Sequence, residues 1–316
     1  MIISASRRTD IPALYVEWFF NRIKAGFVDV VNPFNLKQVS RVSLKPQVVD
    51  CIVFWTKNAA PIIDRLDELK AYKFYFQFTI TPYDADVEPG LLRHQSKSDI
   101  IRTFRQLSKK IGRDKVVWRY DPILLSRKHS IDWHFDQFAY FVDKLAPYTK
   151  RCVISFLDLY AKTMHNTQPL GIRDISVDEM KLLAQGISQI ADGKIEVQSC
   201  SEKIDLDEFG IRHGACIDRE IVERVIGAKI DVDKDKTQRL ECGCMSSVDI
   251  GQYDTCTHLC AYCYANFRPQ IAIKNNANHN PKNSSMTRDF SDEKNVPFIK
   301  KAVKLKRVQP NLFGDF

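Results

Sequence analysis

Ser246-Ser-Val-Asp-Ile-Gly-Gln-Tyr-Asp-Thr-Cys256-Thr-His-Leu-Cys260-Ala-Tyr-Cys263 joins a short apolar run to three cysteines within eight residues. Ser246 to Ile250 reads as a short strand. It empties into a loop where Cys256, Cys260 and Cys263 stand at C-x3-C-x2-C. Sulfurs at that spacing can point into one small volume, and the segment leaves a fourth position unfilled. Three thiolates match three corners of a cubic iron–sulfur cluster. A structural zinc site closes with four ligands, so a bare triplet suits zinc less well.

Upstream of this stretch, short apolar runs alternate with amphipathic ones. Strands are expected at Ile2–Ala5, Val28–Val31, Val48–Trp55, Phe74–Ile80, Val116–Tyr120, Cys152–Leu157 and Lys194–Ser199. Between them, helical spacing predicts helices over Pro12–Ala25, Ile62–Leu69, Asp99–Ile111 with Ser98 as N-cap, Ile131–Leu145 and Val177–Ala191. Strands alternating with helices predict parallel pairing with the helices outside. The fold class read from this pattern is α/β, a parallel (β/α) barrel of the TIM type, complete or partial. A doubly wound sheet is the competing topology, but no Gly-rich phosphate fingerprint follows the first strand.

The chain has 316 residues, 44% of them hydrophobic and 27% charged, as in an ordinary globular protein. No apolar run is long enough for a signal peptide or a membrane span, which leads to the expectation of a cytoplasmic protein with no membrane partner. Nine cysteines in such a compartment argue for ligation rather than disulfides. Seven of them, Cys200, Cys216, Cys242, Cys244, Cys256, Cys260 and Cys263, crowd into the C-terminal part, whereas Cys51 and Cys152 lie in strand patterns and read as small buried hydrophobes. The net charge of +8 is concentrated beyond Tyr264, where ten Lys/Arg face four Asp/Glu. That basic region could attract nucleic acid, although a solvated tail is the plainer explanation. The expected division is 1–199 for the β/α units, 200–267 for a cysteine-rich segment completing the barrel, and 268–316 for a basic extension.

C-x3-C-x-Tyr262-Cys263 resembles the cluster motif of the radical S-adenosylmethionine (SAM) enzymes, and the continuation Tyr264-Ala265-Asn266 resembles the spore photoproduct lyase branch. Together with Ser4-Ala-Ser-Arg-Arg-Thr-Asp-Ile-Pro12 and Cys242-Gly-Cys244…Asp249-Ile-Gly251, the pattern resembles a bacterial domain-of-unknown-function family with a radical-SAM-like cysteine cluster at its C-terminus. The resemblance implies a 4Fe–4S cluster on the triplet, SAM on its open iron, and an electron donor such as flavodoxin or ferredoxin. In the superfamily the triplet follows the first barrel strand. Its place here therefore implies a circularly permuted barrel, with Ser246–Ile250 in the first slot and Ile2–Ala5 in the next.

The other candidates follow from position. Cys200, Cys216, Cys242 and Cys244 have the number that closes a second iron–sulfur cluster or a zinc site. In the loop after the first strand, Arg7 and Arg8 are candidates for the SAM carboxylate and Asp10 for its ammonium, with a helix cap as the alternative for Asp10. Arg119, Asp121 and Glu202 at strand ends are candidate catalytic groups, and His258 is a hydrogen-bonding support rather than a ligand. The rival to an enzyme is a zinc or iron–sulfur protein acting as a nucleic-acid-binding module.

Overall fold

The computed structural model describes residues 1–93, 95–159, 161–290, 298, 299 and 305–307. In chain order these form β1 (Ile2–Ala5), α1 (Ile11–Leu14), α2 (Val16–Ala25), β2 (Phe27–Asn32), β3 (Asn35–Ser43), β4 (Cys51–Thr56), α3 (Ala60–Ile63) and β5 (Phe74–Thr79). Next come α4 (Lys97–Ile111), β6 (Val116–Ile123), α5 (Ile131–Leu145), β7 (Arg151–Phe156), α6 (Ala161–Thr167), α7 (Val177–Ala191) and β8 (Glu196–Cys200). The rest comprises β9 (Arg212–Gly214), α8 (Arg219–Ile226), β10 (Ile230–Asp231), β11 (Val248–Asp249), α9 (Pro269–Ala277), β12 (Phe298–Ile299) and β13 (Lys306–Arg307).

Eight strands make one wholly parallel sheet in the order β11-β1-β4-β5-β6-β7-β8-β9. From β1 to β9 this order follows the chain, without the reversal that marks a doubly wound sheet. The exception is β11. It comes last in sequence yet pairs with β1, Ile3 opposite Val248 and Ser4 opposite Asp249.

Both faces of the sheet are covered, which is why β4 and β5 read as nearly unbroken apolar runs. On one face α2, α4, α5 and α7 pack against an aromatic layer. Phe54 stacks on Phe76 at 4.7 Å and meets Phe19 at 5.3 Å, and Trp118 stacks on Phe138 at 5.2 Å. On the other face Cys51, Val53, Tyr75, Val117 and Val153 are covered by Ile221, Val222 and Val225 of α8 and by the segment holding Cys242, Cys244 and Met245. Residues 200–267 thus return three elements, β9, α8 and β11, to the sheet and its cover.

Several boundaries differ from the sequence reading. The helix expected over Pro12–Ala25 breaks at Tyr15, whose hydroxyl donates to the Thr255 carbonyl at 2.6 Å. The helix expected over Ile62–Leu69 stops at Ile63 and resumes only as a tight turn at Leu66–Leu69. The cap of α4 is Ser96 rather than Ser98, because Ser96 and Asp99 form a reciprocal capping box. Val28–Val31 belongs to a hairpin, β2–β3, outside the main sheet. Among the described residues no helix is long and apolar enough to cross a membrane. Of the basic extension, residues 291–297, 300–304 and 308–316 lie outside the described residues.

Candidate metal and cofactor site

The triplet loop begins where β11 ends. Asp249 locks it to the loop after β1, its carboxylate accepting from Ser4 Oγ (2.6 Å), Ser6 Oγ (2.7 Å), the Arg7 amide (2.8 Å) and the Gly251 amide (3.0 Å). Positive φ angles at Asp254 (56°) and Leu259 (54°) let the chain curl, so that Cys256 and Cys260 are buried and Cys263 is half-buried. Burial, then the neighbouring Cys263 and Asp10, push the Cys256 thiol up to about 12. Burial also lifts Cys260 well above the usual thiol range, against the pull of the Lys57 ammonium. Charges of Cys256 and Cys263 both act on Cys260, so the three sulfurs lie within electrostatic reach of one another. A bound cation would reverse the burial effect, because a coordinating thiol is deprotonated outright.

Two neighbouring loops clamp this segment. Asp10 accepts from the Ala13 amide (3.0 Å) through Oδ1 and from the Lys57 amide (2.7 Å) through Oδ2, with His258 Nε2 2.8 Å from the same Oδ2. One carboxylate therefore ties α1, the end of β4 and the cysteine loop together. The loop after β5 forms the second clamp: the Gly90 amide donates to the His258 carbonyl and the Ala261 amide to the Val87 carbonyl, both at 2.9 Å. Gly90 approaches so closely that a Cβ there would lie 1.9 Å from the Thr257 carbonyl oxygen. Beside it the buried Glu88 carboxylate receives Lys57 Nζ (2.8 Å), Lys97 Nζ (2.6 Å), Thr81 Oγ1 (2.6 Å) and the Tyr262 hydroxyl. Burial works to raise its pKa, but the two ammonium groups hold it well below the usual carboxylate range. A cavity of about 330 Å³ reaches the loop, lined in part by His165, Leu259, Cys260, Cys263 and Asn266.

The second cysteine set lies on the sheet face covered by α8. Cys200 ends β8, Cys216 follows β9, and Cys242 and Cys244 come from the covering segment. All four are buried, at 9%, 7%, 7% and 1% exposure respectively. Cys200 Sγ lies 3.1 Å from Cys216 Sγ, and the amide of Ile217, next to Cys216, donates to Cys244 Sγ at 3.4 Å. Strand side chains fix this group. The Cys216 carbonyl accepts from the Tyr75 hydroxyl (2.6 Å) and Gln77 Nε2 (2.8 Å), and its sulfur receives Arg119 Nη1 at 2.9 Å. Among the described residues, the triplet and the second set included, no group of three or more His, Cys, Asp or Glu side chains stands arranged to hold a metal ion.

Of the residues singled out from sequence, Asp10 serves as the cap of α1 and as the clamp just described, with both oxygens engaged. Arg7 turns toward the second set: its charge acts with Cys244 and Cys216, it lies over Trp55 at 5.2 Å, and its buried Nη2 has no hydrogen-bond partner among the described residues. Arg8 stays with the triplet loop, 3.5 Å from the Gly251 carbonyl and over the Tyr253 ring. Arg119 and Asp121 pair with each other (Nε to Oδ2, 2.9 Å) and brace Cys216. Glu202 accepts from the Phe156 amide, and burial, joined by the charges of Asp158 and Asp121, pushes its carboxyl up to about 8. His258 is a support for the loop through Asp10, as expected. Sequence reasoning missed Glu88 and Lys97, although Val87-Glu88-Pro89-Gly90, an acid on a turn after a strand, was a usable signal.

A sequence profile of the family described as Domain of unknown function (DUF1848) matches residues 2–265. No curated protein matches the chain. Among solved structures, a Bacteroides thetaiotaomicron protein provisionally described as an alpha-L-fucosidase is 13% identical, with a TM-score of 0.25, over 74% of this chain and 84% of its own. Similarity at that level carries no argument about activity.

Proposed function

We propose that this chain, which belongs to the DUF1848 family, is a radical SAM-type enzyme that holds a 4Fe–4S cluster on Cys256, Cys260 and Cys263. One observation carries the reading: the three cysteines of a C-x3-C-x-Tyr-C loop follow the C-terminal end of a parallel strand. β/α folds place their chemistry at that end. The pairing of β11 with β1 supports a permuted barrel, since the strand of this sheet that comes latest in sequence then occupies the slot before the first. The donor set fits in number and softness, three thiols leaving one iron for SAM.

When bound, the cluster and SAM supply a 5′-deoxyadenosyl radical, chemistry that belongs to the cofactor. The chain positions and shields. Lys57 offsets negative charge at Cys260, and the Asp10–His258 contact fixes the loop between Cys256 and Cys260. Arg8, at the root of the loop, is the candidate for the SAM carboxylate, for which a planar guanidinium is suited. Glu88 neutralises Lys57 and Lys97 in the buried wall behind Tyr262.

The test is anaerobic purification followed by iron and sulfide analysis, then reduction with added SAM while 5′-deoxyadenosine is measured. Stoichiometric iron and sulfide with deoxyadenosine formation is the expected result. A colourless protein that leaves SAM intact after iron and sulfide reconstitution would overturn the reading in favour of a metal-containing binding module.

A further inference from the structure

We infer that Cys200, Cys216, Cys242 and Cys244 form a second, structural site for a single tetrahedral Zn²⁺-class ion, separate from the triplet. The inference deepens the functional reading but does not depend on it. Four buried thiols from three segments of the chain share one sheet face: Cys200 Sγ and Cys216 Sγ lie 3.1 Å apart, and Cys244 Sγ accepts from the amide of Ile217, next to Cys216. Isolated buried cysteines behave as small hydrophobes and have no reason to converge as a set of four.

Size selects the ion. Zn–S bonds of about 2.3 Å in a tetrahedron put sulfurs about 3.8 Å apart. The Cys200–Cys216 pair needs to open by well under 1 Å to reach that edge. A four-iron cube would drive the sulfurs much further apart, against Tyr75, Gln77 and Arg119, which already pin Cys216. Closed four-thiolate coordination is the structural form of zinc.

The surroundings suit a group carrying excess negative charge. Arg119 Nη1 donates to Cys216 Sγ at 2.9 Å, and the Ile217 amide to Cys244 Sγ at 3.4 Å. The Arg7 guanidinium, whose buried Nη2 has no hydrogen-bond partner among the described residues, lies within electrostatic reach of Cys244 and Cys216. Such hydrogen bonds to ligand sulfurs are the outer support that metal sites use. At Gly243, between two of the ligands, a Cβ would come within 3.3 Å of the Gly214 carbonyl, so the Cys242-Gly-Cys244 backbone presses against the loop carrying Cys216.

The experiment uses the full chain with Cys256, Cys260 and Cys263 changed to Ser, so that failure here is distinct from failure of the cluster reading. After stripping, the protein is loaded with Co²⁺ and then Zn²⁺. One equivalent per chain is expected, with thiolate-to-cobalt charge-transfer bands of a tetrahedral thiolate site, lost on further Cys216→Ser or Cys244→Ser change. To separate metal loss from unfolding of those variants, the unmutated chain is also alkylated with and without chelator and mapped by mass spectrometry. Protection of these four cysteines released together by chelator supports the site. Iron and sulfide bound at the four, a Cys200–Cys216 disulfide in the purified protein, or alkylation indifferent to chelator would each overturn it.

Discussion

The two cysteine groups are built in opposite ways. The triplet is local: its sulfurs fall within eight residues, and the fold's task is to clamp one loop with Asp249, Asp10 and Gly90. The quartet is assembled by topology, its members meeting only because β8, β9 and the segment after α8 share one face of the sheet. A local site survives as a motif in isolation, whereas an assembled site exists only in the finished fold. Removal of ligands should therefore damage chemistry in the first case and architecture in the second.

The largest effect should come from Cys256→Ala, Cys260→Ala or Cys263→Ala. Each is expected to reduce deoxyadenosine formation to background with little change in unfolding free energy, while any ion on the quartet stays bound. Iron retained at wild-type level in all three variants would break the comparison. Gly90→Ala tests the clamp, since its new Cβ meets a backbone carbonyl. A loss of about 2–3 kcal/mol in urea unfolding is expected, with iron content falling as the loop is displaced. Unchanged iron and stability would show the loop free to move.

A pH series separates loss of the sheet from loss of either site. His134, fully buried between Tyr120 and the Leu124 carbonyl, is pushed down to about 4, first by burial. Between pH 4 and 6.5 the unfolded chain binds the extra proton and the folded chain does not. Stability should therefore rise with pH across that window and fall by up to about 3 kcal/mol as pH drops to 4. In His134→Gln that part of the slope should vanish. The smallest effect is expected for Cys152→Ala: about 1 kcal/mol of stability, with both metal contents unchanged. Loss of metal there would blur the line between ligand and packing cysteines.

What the chain disclosed in advance follows the same division. The triplet and the helices Ile131–Leu145 and Val177–Ala191 were legible because their signals lie within a few residues, as spacing, caps and apolar period. The break at Tyr15 was not, because its cause is a carbonyl some 240 residues away. β3 escaped notice because its exposed, polar face lacks the apolar run that marked the other strands. The four quartet cysteines could be counted from sequence, but their convergence required knowing that α8 covers the face opposite the helices. Ser96 is the instructive miss: Ser96-x-x-Asp99 was readable as a capping box, and Ser98 was chosen over it.

The pairing of β11 with β1 also has a consequence for synthesis. β1 leaves the ribosome long before its partner: the strand that completes its edge emerges roughly 245 residues later. Made N-terminal first at about 5–20 residues per second, the chain waits about 12–50 seconds with that edge open before Asp249 can reach Ser4 and Ser6. The cysteine loop is thus positioned only when the rest of the sheet already exists. A cluster on this loop, as proposed, would therefore be loaded only after the central strands have formed.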